Sequence, residues 1–415
     1  MRFRTGILVV LVFAALLGVG WYGFSLVTAS DGDLHETWVS DTARANDRNH
    51  HAVGVGPNGS VVVAPVAGVP GVDEMTNATC SLVRLAPSNG TVLWRTGMPA
   101  ERCFSHALTE PAIEDLDGDG TLEVIVGTTE NATIVYDAGD GSEEFRIPTE
   151  RYGYSRPTVA NLTASPGKEI VTVDLYGNLV VATATGTPRW HHSFGEIVYA
   201  EPVVRDVDGD GSRDVLVSAL DRTVLLNANG EVQWTVPVGG YDLVTAQADR
   251  DDQPEVYVTD TASVVALDGK TGEREWTADR RGSPRLHAVT DGDGDGTVEV
   301  YLSRTDGRVT VLEGTTGDEE WTTTVARQES PSTPPPVVGD VTGDGQPDLV
   351  AVTGSGTVAV LDPASGEERA AYDRDVPIRT YPTLANVDDD PAAEILARYG
   401  DGRVVLLNYR GGDGG

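Results

Sequence analysis

Short runs of alternating apolar and polar residues recur along the chain, separated by turns rich in Gly, Asn and Asp. That is the pattern of strands with one face buried. One stretch reads completely as EPVVRDV (201–207), DVLVSAL (214–220), RTVLLNA (222–228) and EVQWTVPV (231–238), four strands joined by short polar turns. An acidic nonapeptide links the first two strands of this unit. It returns with its first residue at 115, 161, 206, 247, 291, 340 and 386, a spacing of 41 to 49 residues. A repeat of that length built only of strands and turns predicts an all-β chain, each repeat one blade of a β-propeller.

Two further features keep phase with the nonapeptide. Pro111, Pro157, Pro202, Pro336 and Pro382 each stand four residues before it. Proline cannot donate to a ladder, so it belongs at the start of a strand. The fourth strand carries an aromatic after a glycine turn, the series being Trp94, Phe145, Trp190, Trp234, Trp276, Trp321 and Tyr372. A ring recurring once per blade is a core residue packed between blades.

Counting blades predicts how the ring closes. The last repeat supplies only three strands, TYPTLANV, AEILARY and RVVLLNY. Residues 51–98 contain SVVVAPV, CSLVRLA and TVLWRTG, a further blade without an acidic loop. HETWVSD (35–41) is then left over and predicts the missing fourth strand. The expectation is an eight-bladed propeller over 35–410, with 35–41 as closing strand and 411–415 as a tail; seven blades is the alternative. Closure removes two exposed sheet edges.

The segments LDGKTGEREW (267–276) and LEGTTGDEEW (312–321) resemble the tryptophan-docking repeat of the PQQ-like, quinoprotein-type propellers. The acidic nonapeptide resembles the FG-GAP/VCBS repeat of integrin-α-type propellers, whose pattern is DxDxDGxxD. The second resemblance implies a calcium ion in each loop, and the chemistry agrees. Calcium takes six to eight hard oxygens. Acids at alternate positions of a coiled loop turn inward, and glycine at position 6 permits the tight turn. The ligand positions are Asp115, Asp117, Asp119, Thr121 and Glu123, then Asp206, Asp208, Asp210, Ser212 and Asp214, and then Asp291, Asp293, Asp295, Thr297 and Glu299. Weaker copies give Asp340, Thr342, Asp344, Gln346 and Asp348, and Asn386, Asp388, Asp390 and Glu394. Asp249, Asp251 and Glu255 form a poorer set, and loop 161–169 keeps only Glu169 as an acid at a ligand position. An EF-hand would instead need Glu at position 12, where the first loop has Val126. About five structural Ca²⁺ sites are therefore expected.

The net charge is −34, which excludes nucleic acid as a partner. Only Lys168 and Lys270 are lysines among 30 basic residues, a composition similar to that of proteins from extreme halophiles. The N-terminus adds a location. Residues 1–5 form a basic n-region and 6–27 an uncharged stretch long enough to span a bilayer, followed by a linker at 28–34. The expectation is a single-pass membrane anchor with the propeller extracellular. Cleavage after Val27-Thr28-Ala29, leaving a secreted protein, is the alternative. Cys80 and Cys103 suit one disulfide in an exported chain, and Asn58, Asn77, Asn89, Asn131 and Asn161 stand in glycosylation sequons.

A propeller binds at one end of its channel. The segments leading into the innermost strands put Tyr154, Arg156, Tyr199, Tyr241, Arg285 and Tyr381 at that rim, with His106, His287 and Arg379. Aromatics with Arg are what an interface favours. The adjacent pairs His50-His51 and His191-His192 read as ordinary surface residues, since neighbours on a strand point to opposite faces. The PQQ-like resemblance also raises a PQQ-dependent dehydrogenase. That family implies an adjacent Cys-Cys disulfide over the quinone, whereas the two cysteines here are 23 residues apart and no singular catalytic acid stands outside the repeat. The expectation is a calcium-stabilised binding module for an extracellular protein or glycan, in adhesion or envelope organisation; a scaffold for envelope protein assembly is the alternative.

Overall fold

Seven of the eight connections between first and second strands are eight residues long, and each begins on the acidic nonapeptide. They belong to a computed structural model that describes residues 32–411 apart from 166, 281, 328–332 and 389. The anchor at 6–27 lies outside the described residues, among which no helix is long and apolar enough to cross a membrane.

The described residues form eight four-stranded antiparallel sheets. Blade 1 is Gly54–Val55, Val62–Val66, Ser81–Leu85 and Val92–Gly97. Blades 2 to 7 follow in chain order, with innermost strands Ala112–Glu114, Thr158–Ala160, Val203–Arg205, Asp242–Ala246, Arg285–Thr290 and Val337–Gly339. Blade 8 takes Thr383–Ala385, Glu394–Arg398 and Val404–Gly411 from one end of the sequence and Gly32–Val39 from the other. The innermost strands touch in order around the ring, and that of blade 8 touches that of blade 1. The chain is an eight-bladed β-propeller. Its closing strand starts inside the segment expected to be linker, because Gly32 pairs with Gly411 and the ladder runs to Val39–Val405. The third strand of blade 8 correspondingly extends to Gly411.

Each phased proline immediately precedes an innermost strand, where its missing N–H breaks no ladder bond. Buried apolar side chains fall into eight clusters, one between each pair of neighbouring blades. In every blade but the seventh, the aromatic of the outer strand docks on the turn between the third and fourth strands of the next blade. The indole N–H of Trp94 donates to Ala138 O at 2.9 Å, Trp190 to Ala228 O at 3.0 Å, Trp234 to Gly269 O at 2.9 Å, Trp276 to Gly314 O at 2.9 Å and Trp321 to Pro363 O at 2.9 Å. Trp38 of the closing strand does the same to Pro87 O at 2.7 Å. The ring lies flat on a turn glycine of positive φ, such as Gly230 at +82°, whose Cβ would stand 2.8 Å from the Trp190 ring. Side chains are strained at that φ and excluded by that distance, so glycine is required.

Blade 7 corrects the aromatic series. Ala370 pairs with Val360 as Trp321 pairs with Val311, so alanine occupies the docking phase and Tyr372 lies two residues beyond. The reason is the closure itself. Blade 8 takes its third and fourth strands from distant parts of the chain, so no turn joins them and a ring from blade 7 would have no platform. Leu34, Tyr372 and Tyr409 pack there instead, and the Tyr372 hydroxyl donates to Glu36 of the closing strand.

Removing a buried Trp leaves a cavity worth about 3–5 kcal/mol. Trp38→Ala is expected to destabilise the protein as much as Trp234→Ala does, measured by guanidinium unfolding. A loss below about 1 kcal/mol for Trp38→Ala alone would show that the closing strand does not hold the ring.

Candidate functional site

Antiparallel blades separate the connections into two ends. The acidic loops and the docking turns share one end. The linkers between blades open at the other, and there the six residues expected at the rim come together. Tyr154, Arg156, Tyr199, Tyr241, Arg285 and Tyr381, from five blades, line one cavity of about 710 Å³ at the mouth of the central channel. His287 and Arg379 line it too. A further space of about 460 Å³ continues along the channel, and Glu110, Arg156, Val244, His287 and Tyr381 border both.

Rings pack on the wall in two groups. Tyr154 meets Tyr199 edge-on at 5.0 Å, and Tyr199 stacks on Tyr241 at 5.5 Å. His287 stacks on Tyr381 at 4.0 Å. Charges are set between the rings. Asp242 accepts from Arg285 Nη2 at 2.9 Å and Nε at 3.0 Å, from Thr259 Oγ1 at 2.7 Å and from Leu286 N at 3.0 Å. The Arg285 guanidinium is held well above its ordinary pKa by Asp242. Arg156 lies 3.9 Å from both Glu110 and Glu201. Its Nε is buried without a hydrogen-bond partner. The Tyr381 hydroxyl donates to Glu110.

Burial sets the protonation of this wall. It pushes Glu110 up, against the pull of Arg156 and Tyr381, and pushes Glu201 up to about 7. It pushes His287 down to about 4. The acids Glu110, Glu201 and Asp242 were missed from the sequence, although two carry a signal: Glu110 and Glu201 stand directly before the phased prolines Pro111 and Pro202. The pair His50-His51 requires a correction. Both line the cavity, with ring centroids 4.4 Å apart. They lie in an irregular linker rather than a strand, so alternation does not separate them. Cys80 and Cys103 are bonded, with Cα atoms 5.3 Å apart, and are buried in the core between blades 1 and 2. Neither lines the cavity, so the pair does not fit a disulfide over a quinone in the channel.

At the opposite end, the carboxylates of the best acidic loops converge. One oxygen each from Asp291, Asp293, Asp295 and Glu299 lie within 4.8 Å of one another, as do those of Asp115, Asp117 and Asp119 and of Asp206, Asp208 and Asp210. In each, the first acid accepts from two loop amides and the last is turned inward onto the amide of position 2. Burial and neighbouring acids push Glu123 and Glu299 up to about 7 and Asp214 up to about 6. The donor set fits a hard cation, since only oxygen is offered and its charge is not neutralised.

In five blades the residue before the docking position is charged and lies beside this loop. Glu275 joins Asp249 and Glu255 in one cluster, while Glu144 and Glu320 add charge beside loops 115–123 and 291–299. In blades 3 and 7 the position holds Arg. Arg189 pairs with Glu169 at 3.0 Å, and Arg369 pairs with Asp348. Loop 340–348, expected to be a metal site, thus already carries a cation on its last acid. In loop 386–394 the Asn386 amide donates to Asp390 O and Glu394 accepts from Asn408 at 3.1 Å. In loop 247–255 the Gln247 amide donates to Asp251 O at 2.8 Å.

The fold and site define a tryptophan-docked eight-bladed propeller with a polar aromatic channel mouth. The family model described as "Outer membrane protein assembly factor BamB", of the PQQ-like repeats, matches residues 177–413, and the chain belongs to that family. Among solved structures, BamB from Moraxella catarrhalis aligns with a TM-score of 0.61 at 16% identity, covering 91% of this chain and 98% of that one. The C-terminal WD40 domain of Sif2 gives 0.60 at 14% identity, covering 91% and 99%. BBS1N in complex with ARL6DN gives 0.52 at 12% identity, covering 72% and 90%. No curated protein sequence matches the chain.

Glu201 gives the site a pH signature. Its folded pKa of about 7 exceeds the ordinary 4.5. Between those values the folded protein keeps a proton that the unfolded chain has released. The stability contributed here is full below the lower value and lost as pH rises through the upper one. Melting between about pH 5 and about pH 8 should therefore decline less in Glu201→Gln than in the wild type. Parallel profiles would show that Glu201 is not desolvated.

Proposed function

We propose that the chain is a membrane-tethered extracellular scaffold that docks a protein partner, in envelope assembly or organisation, at the mouth of its central channel. The observation that carries this reading is the convergence of Tyr154, Arg156, Tyr199, Tyr241, Arg285 and Tyr381 on one cavity. Rigid aromatic anchors beside Arg suit a protein hot spot. Membership of a family described as an assembly factor supports the same reading, as does a propeller of related fold solved with a protein partner. A glycan is the second reading, favoured by the stacked Tyr199 and Tyr241 faces.

Topology gives the proposal an orientation. Residue 32 begins the closing strand at the acidic-loop end, since Gly32 pairs with Gly411 at the end of the third strand. A tether preceding this strand would join the propeller at that end, with the channel mouth facing away from the membrane. The acidic loops then serve structure. We propose Ca²⁺ in loops 115–123, 206–214 and 291–299, weaker binding in 386–394 and 247–255, and none needed in 161–169 or 340–348, where Arg189 and Arg369 supply the positive charge.

Two measurements test this. A cation bound only to the native state at about 100 times its Kd stabilises by about 2.7 kcal/mol per site. Chelation with EGTA should lower Tm, and Asp293→Asn should remove part of that effect; a melt indifferent to calcium refutes the structural role. Partner docking is read by affinity capture from native membranes with calcium kept. Tyr199→Ala with Tyr241→Ala should abolish recovery of partners held by the wild type, with folding intact by circular dichroism. Undiminished recovery by the folded double variant would exclude the channel mouth.

A further inference from the structure

Three histidines meet beside the channel mouth, and the partner-docking reading uses none of them. His50 and His51 come from the linker 40–53 and His106 from the linker 98–111, the two longest between blades. His50 Nδ1 lies 2.8 Å from Arg48 O. A carbonyl only accepts, so the ring proton of neutral His50 sits on Nδ1 and its Nε2 presents a lone pair. That Nε2 lies 2.8 Å from His106 Nδ1. His51 Nε2 is buried with no hydrogen-bond partner. One nitrogen from each ring lies within 4.8 Å of the other two.

We propose that His50, His51 and His106 form a binding site for a divalent transition-metal ion of the zinc class, on the border of the channel-mouth cavity. Three nitrogens at about 2.0–2.1 Å from one tetrahedral ion stand roughly 3.3 Å apart, so binding needs the 2.8 Å His50–His106 contact to open and the His51 nitrogen, within 4.8 Å, to come to the same spacing. The hydrogen bond from His50 Nδ1 to a backbone carbonyl is the support that metal-binding histidines use to fix their tautomer. A hydrogen bond between His50 and His106 accounts for two of the rings without a metal, but it leaves the buried His51 nitrogen unexplained, and an ion accounts for all three.

Charge and protonation are compatible with occupancy. Burial pushes all three rings below their ordinary pKa. Arg379 and Arg398 oppose a cation here but are engaged elsewhere. Arg379 pairs with Asp47 at 3.2 Å, and Arg398 donates to Asn49 Oδ1 at 3.0 Å and to the carbonyls of Pro65 and Gly402. Imidazole selects zinc, copper or nickel, whereas the all-oxygen loops at the other end select calcium. The propeller thus offers two kinds of metal chemistry at opposite ends of one ring. With three protein ligands the ion keeps a position for water or for a donor atom of a docked molecule.

The test uses the full chain without a polyhistidine tag, in excess Ca²⁺ to saturate the oxygen sites. Titration with Zn²⁺ by calorimetry should give one site per chain. Since losing even a supporting partner costs 10–100-fold in affinity, His51→Gln and His106→Gln should each weaken binding by at least about 100-fold. Co²⁺ should give the intense visible bands of a tetrahedral site, and Cu²⁺ should show electron-spin coupling to three nitrogens. The Cu²⁺ spectrum needs no variant, so it decides even where a substitution unfolds the protein. Fewer than three coupled nitrogens in the wild type, or Zn²⁺ affinity unchanged in both folded variants, would overturn the site.

Discussion

Seating an indole on a glycine of the next blade is the interaction on which the ring depends. A single four-stranded sheet has two faces to cover and cannot bury either alone. Each docked ring covers a neighbour, and its N–H satisfies a carbonyl that the docking turn would otherwise leave at a covered interface. Six tryptophans do this, with Phe145 packing on Gly186 in the same phase without the hydrogen bond. The demand is mutual, since the ring needs the glycine and the glycine needs a turn. Where the turn is missing, at the seam between blades 7 and 8, the tryptophan is missing as well, and Ala370 stands in its phase.

The docking turn brings a second constraint with it. It lies beside the acidic loop, so the residue preceding the docking position must face a cluster of carboxylates. Where that residue is charged, the chain answers the electrostatic demand in two ways, and in blades 4 and 8 it is the neutral Gln233 and Thr37. Arg189 and Arg369 neutralise their loops from within the protein. Glu144, Glu275 and Glu320, all exposed, instead increase the negative charge, a load that protonation, solvent ions or the proposed Ca²⁺ would relieve. On the proposed reading of the other loops as Ca²⁺ sites, internal guanidinium and bound cation would be alternative solutions to one problem, and the copy with fewest acids at ligand positions, 161–169, is one of the two that use Arg.

Much of this was legible in the sequence because it repeats. The phase of proline, acidic loop and tryptophan counted the blades and assigned the closing strand around Trp38 to blade 8. Repetition also misled once, because Tyr372 was read into a phase that the register gives to Ala370. The channel mouth was legible only in part. Its aromatics stood out against short linkers, but Glu110, Glu201 and Asp242 looked like more of an acidic background, and their environment depends on which blades face one another across the channel. The histidines were harder still. His51 and His106 are 55 positions apart and belong to no repeat, and it is the packing of blade 1 against blade 2 that brings their linkers together.

That difference follows from how the two ends are built. At the acidic end the connection between first and second strands is eight residues long in seven blades, fixed by the turn, the carboxylates and the docked ring. At the mouth the linkers run from five residues, as between Val236 and Asp242, to the fourteen of 40–53 and 98–111. A linker there need only reach the next innermost strand, so its length and chemistry are free of the repeat. The two longest carry the histidine cluster, and shorter ones supply Tyr154, Tyr199 and Tyr241. A repeat architecture therefore concentrates individuality at one end of the channel, where a side chain departing from the pattern costs the ring nothing. Specific recognition by this protein has to be built from those departures.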